Sequence, residues 1–64
     1  MAYEMFEVKG GTLASVEVRG PSGSVRMGET DQHTWFVFHE DGGDFPSRGE
    51  ALDCARKIVG DLID

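Results

Sequence analysis

A single cysteine, Cys54, is all the sequence holds, which excludes an internal disulfide. No run of about 18 apolar residues occurs, so no segment reads as a membrane span. No basic segment followed by an apolar core opens the chain, and a secretory leader is not expected. Lys and Arg number only 6 and form no basic patch, so direct nucleic-acid binding is not expected. The serine-nucleophile pattern G-x-S-x-G and the phosphate loop G-x-x-x-x-G-K-[ST] are both missing. These absences point to a cytoplasmic protein without membrane, cofactor or metal, and not to an enzyme.

What remains is a chain of 64 residues and 7.0 kDa, enough for one small domain spanning 1–64. A chain this short buries only about 60 % of its unfolded surface. Its core seldom yields more than ~3–5 kcal/mol of net stability. Self-association or a protein partner is the staple still open to it.

The pattern predicts an α+β domain, a three- or four-stranded antiparallel meander with one C-terminal helix on one face. Residues 2–9 read as a strand with Tyr3 and Met5 on one face and Phe6 and Val8 on the other. Gly10-Gly11 reads as a hairpin turn. Over 12–19, Ala14, Val16 and Val18 point one way, and Ser15, Glu17 and Arg19 form a wet face. Gly20-Pro21-Ser22-Gly23 suits a second turn, with Pro21 and Gly23 at the positions that favour them. A short strand over 24–27 follows, then a loop over 28–33. Residues 34–39 form the strongest strand, rich in aromatic and β-branched residues. Phe45-Pro46 reads as the end of any strand after the turn at 40–44. Ser47 and Glu50 fit a capping box, and Ala51, Leu52, Ala55, Ile58, Val59, Leu62 and Ile63 form a helical stripe with Cys54 at its edge. Gly60 lies opposite that stripe with no packing reason to be there.

One helix covers one face of a sheet, yet strand 34–39 is apolar on both: Trp35 and Val37 on one side, Phe36 and Phe38 on the other. An aromatic surface is therefore expected to stay uncovered, and such patches mark interaction sites. Identical patches are self-complementary, so a homodimer is the simplest use. The charge is local as well. Residues 1–27 balance to zero, 28–46 carry −5 and 47–64 carry −1. The acids flank the aromatic strand and form a rim. The expected partner-binding residues are Trp35, Phe36, Phe38, Glu40, Asp41 and Asp44.

The candidates for chemistry are few. On a straight strand His33 and His39 stand about 20 Å apart, too far to share a metal. Around His39, the carboxylates Glu40, Asp41 and Asp44 do not have calcium-loop spacing. No histidine lies within helical reach of Cys54, so a thiol nucleophile would need a tertiary contact. A structural thiol is the plainer reading.

Residues 35–63 resemble a set of uncharacterised small bacterial strand–turn–helix domains through Trp35, Val37, Gly42, Gly43, Phe45, Ser47, Glu50, Ala51, Leu52 and Ala55. That resemblance implies a fold and no activity. Asp41-Gly42-Gly43, Phe45-Pro46 and Glu50-Ala51-Leu52 are also similar to HicB-type antitoxins, without the segment that family carries between the Gly turn and the Phe-Pro pair. The similarity implies a sheet-and-helix binder that occludes a small toxin ribonuclease. The function expected from the residues is a non-enzymatic protein–protein interaction module that self-associates through strand 34–39. Two alternatives are kept. One is a small acidic inhibitor of phage or mobile-element type, anti-CRISPR- or anti-restriction-like, that blocks a basic nucleic-acid-handling protein. The other is an antitoxin-like binder.

Overall fold

The computed structural model describes residues 3–8 and 13–61. The elements run β1 (Glu4–Glu7), β2 (Ser15–Gly20), β3 (Gly23–Glu29), β4 (Trp35–Val37), β5 (Gly43–Phe45) and α1 (Arg48–Val59). All five strands join one sheet in chain order, each antiparallel to the next. The α+β class, the meander and the terminal helix are as expected. The strand count is five rather than three or four. The Gly10-Gly11 turn and the stripe positions Leu62 and Ile63 lie outside the described residues.

The extra strand is β5. After the turn at 38–42 the chain returns along β4, pairing Trp35 with Phe45, Phe36 with Asp44 and Val37 with Gly43. Pro46 has no N–H to continue the ladder, so it ends a strand here rather than preventing one. The strong strand is also shorter than expected, Trp35–Val37 instead of 34–39. Phe38 still donates its N–H to the Arg26 carbonyl at 2.9 Å, and His39 then turns away. At about 3.3 Å per residue, the regular part of β4 spans roughly 10 Å.

β3 is longer than expected because Gly28 and Glu29 pair with Phe36 and Trp35. The loop shrinks to 30–34 and is closed by threonines. Thr30 donates its N–H to the Thr34 carbonyl at 2.8 Å, and the two hydroxyls meet at 2.7 Å. His33 sits in this loop with φ 64. The β2–β3 hairpin turns through Pro21 and Ser22 between the paired Gly20 and Gly23, as the turn chemistry predicts.

α1 lies on one side of the sheet, across β2, β3, β4 and β5. Ser47 caps it, its hydroxyl accepting from the Glu50 N–H at 3.3 Å. Ala51, Ala55 and Val59 are buried against Val16, Val18, Val25, Met27 and Val37, while Leu52, Cys54 and Ile58 are partly buried at the margin. Two alanines on the inward stripe let the helix axis approach the sheet closely. Gly60 has a reason after all: it ends the helix at φ 87, and the Asp61 and Gly60 N–H groups bond back to the Arg56 and Lys57 carbonyls. That is a Schellman end, where glycine takes the left-handed conformation without a Cβ penalty.

Candidate functional site

Residues directly opposite in an antiparallel ladder share a face. Met27 pairs with Val37, and both are fully buried under α1. The neighbouring pair, Gly28 and Phe36, therefore faces the other way. By the same alternation Glu4 and Phe6 of β1, Ser15, Glu17 and Arg19 of β2, Ser24, Arg26 and Gly28 of β3, and Asp44 of β5 share this second face with Phe36 and Phe38. Among the described residues nothing covers it.

The face has an aromatic corner and an aromatic edge. Phe36 and Phe38 meet edge to face, ring centres 4.9 Å apart. Phe38 leans over Gly28, where an added Cβ would lie 3.4 Å from its ring. It remains 57 % exposed, and Phe6 on the opposite edge is 40 % exposed. Between them runs a charged row. Arg19 lies 4.7 Å over the Phe6 ring and pairs with Glu17 at 2.8 Å. Arg26 faces Glu17 across the β2–β3 ladder. The face holds three acids, Glu4, Glu17 and Asp44, against the bases Arg19 and Arg26. It is thus close to neutral on a chain of net charge −6.

Of the residues expected to bind a partner, Phe36, Phe38 and Asp44 come together here. Trp35 is on the other side, half-buried against the core, with the Arg48 guanidinium 5.7 Å from its ring centre. Glu40 and Asp41 stand in the β4–β5 turn, where Asp41 lies next to the helix: the Cys54 thiol approaches the Asp41 carbonyl at 3.6 Å. Asp44 is joined to the 30–34 loop by the Thr34 hydroxyl at 3.5 Å. Phe6, Glu17, Arg19 and Arg26 were not singled out from sequence. The signal was present in the alternation of 12–19, whose polar side reads as a solvent face until a neighbouring strand places aromatics at both ends.

The remaining chemistry is sparse. His33 and His39 do not share a straight strand, since one lies in the 30–34 loop and the other in the turn after β4. The Asp41 N–H donates to His39 Nδ1 at 3.0 Å. Among the described residues no three of His, Cys, Asp and Glu gather as metal ligands would. Burial pushes the Cys54 thiol above its ordinary value, Lys57 pulls it down and Asp41 raises it again. A raised thiol holds little thiolate near neutrality. On the helix side an open cleft of about 220 Å³, lined in part by Glu7, Val16, Trp35 and Arg48, is smaller than the ~300 Å³ at which small-molecule pockets begin. Among the described residues no helix is long and apolar enough to cross a membrane. Comparison with known proteins found no matching family, no similar curated protein and no similar solved structure.

Proposed function

We propose that the chain is a non-enzymatic protein–protein interaction module that works through the open face of its sheet. One observation carries this reading: α1 packs on one side only, and the other side exposes Phe6 and Phe38 at 40 % and 57 % with Phe36 between sheet and solvent. Aromatic rings at a contact supply large buried area at low entropic cost. A domain of this size also gains stability by covering such a surface. The mixed charge of the face lends little to the acidic-inhibitor reading, which needs a concentrated negative surface opposite a basic partner.

The test is the Phe38→Ser variant. Solution mass across a concentration series and partner capture are measured beside the native chain. The variant is expected to keep its fold and lose association. Retention of both native mass and native binding by this variant overturns the reading.

A further inference from the structure

The cross-strand row at the middle of the open face reads Phe6 on β1, Glu17 on β2, Arg26 on β3 and Phe38 opposite Arg26. An aromatic stands at each end and opposite charges stand in the centre. Such a row is complementary to its own reverse. Rotation by half a turn about an axis along the strands, between β2 and β3, lays each position over its mirror position in the row. Glu17 then falls on Arg26, and Phe6 on Phe38. The row beside it behaves the same way, setting Ser15 over Gly28. Two sheets can then pack face to face at about 10 Å, with the Phe38 ring that leans over Gly28 lying in the layer between them.

We propose, building on the reading of the open face as a contact surface, that its occupant is a second copy of this chain, placed by this two-fold so that each Glu17 meets the partner's Arg26 and each Phe6 meets the partner's Phe38. Charge supports this occupant over others. Among the described residues no hydrogen bond or ion pair engages the Arg26 guanidinium, although Glu17 is its ladder neighbour and pairs instead with Arg19. The acidity of the chain is concentrated in residues 28–46, so two copies meeting on this nearly neutral face avoid most of that like-charge repulsion. A two-fold contact is also the commonest closed assembly, because one patch serves both sides. The face is modest in size. Six residues of β2 and four inter-strand spacings outline roughly 20 by 19 Å, or about 400 Å² of flat footprint. That is half the ~800 Å² per partner of a standard interface, so the dimer is weak and dissociates on dilution.

The test is a charge swap read by light scattering over a concentration series, with circular dichroism as the check on folding. The native chain is expected to shift from one to two copies as concentration rises. Glu17→Arg sets Arg against Arg across the two-fold, and Arg26→Glu sets Glu against Glu. Each is expected to weaken the dimer at least tenfold. An equimolar mixture of the two variants restores both opposite-charge contacts between chains and none within them, so recovery on mixing reports the intermolecular pairs alone. The chain carrying both substitutions is expected to dimerise like the native one. A folded native chain that stays monomeric at every concentration overturns the second-copy proposal; if Phe38→Ser still abolishes capture of another protein, the function reading stands. A native dimer that Phe38→Ser disrupts, yet whose charge variants do not recover on mixing, overturns this two-fold. A dimer indifferent to Phe38→Ser overturns the second-copy proposal, and if native capture of another protein is retained as well it overturns the function reading.

Discussion

Glu17 and Arg26 stand opposite each other on β2 and β3, on the side of the sheet that α1 leaves bare, flanked by Phe6 and Phe38 at the row's two ends. Buried under an apposed sheet, such a pair would specify how the two surfaces meet more than how tightly they hold. The rings supply the area. That division predicts how substitutions on the two sides of β4 differ.

Phe38 and Trp35 are three residues apart and serve opposite layers. Phe38→Ser removes a largely exposed ring and its edge-to-face contact with Phe36, so the isolated fold should lose about 1 kcal/mol. Trp35→Ser takes a ring from the core margin and frees Arg48 from its face. It should cost about 2 kcal/mol, below the ~3–5 kcal/mol typical of a fully buried Trp truncation. Urea denaturation at a concentration where the chain is monomeric separates the two. Equal losses would contradict the assignment of faces.

Met27 is fully buried where β3 meets α1 and pairs with the equally buried Val37. Met27→Ala should cost about 2–5 kcal/mol, comparable to the whole ~3–5 kcal/mol expected of so small a core. The variant is therefore expected to be largely unfolded at 25 °C by circular dichroism. A cooperative melt near the native temperature would show that the core lies elsewhere.

Gly60 ends the helix at φ 87, and a Cβ there would sit 2.6 Å from the Ser22 hydroxyl. Gly60→Ala brings a left-handed penalty of about 1–2 kcal/mol and pushes on the β2–β3 turn. Asn tolerates that conformation and should cost less. If alanine raises the melting temperature, the glycine end described here is wrong.

Cys54 bears on pH. Its thiol is raised chiefly by burial, with Lys57 opposing and Asp41 adding to the rise. The folded chain therefore resists ionisation more than the unfolded one. Stability linked to this group is whole below the ordinary thiol value and is lost as pH climbs through the raised one. Denaturation midpoints should fall from pH 8 to pH 10 by less in Cys54→Ala than in the native chain. Alkylation at pH 7 should be slow and accelerate in denaturant. Rapid labelling of the native thiol would reverse this assignment.

Local chemistry made much of this fold legible. Alternation at Val16 and Val18 marks a strand with one buried side because side chains repeat every two residues. Ser47 and Glu50 mark the helix start because its first N–H groups need an acceptor. The Pro21-Ser22 turn and the two-sided apolar character of Trp35 to Phe38 follow from the same short-range rules. Gly60 was misjudged because its position on the helical wheel says nothing about the backbone conformation that closes the helix. β5 escaped because its three residues, the second glycine of a Gly pair and the two that precede Pro46, carry no period of their own; their strand character comes from the partner they pair with.

Choosing between the two apolar faces belonged to tertiary structure alone. Trp35 and Phe36 are both large and aromatic, and nothing local ranks one as the inner residue. The register of β4 on β3 decides it, setting Val37 beside Met27 and Phe36 beside Gly28. The helix then packs on the side where Val25, Met27 and Val37 already form an apolar layer, since burial there removes the most surface from water. Chain composition thus determined that an aromatic surface would be left over. Only long-range pairing determined that it would hold Phe6, Phe36 and Phe38 around Glu17 and Arg26, because a side chain's face is set by its neighbours across the sheet.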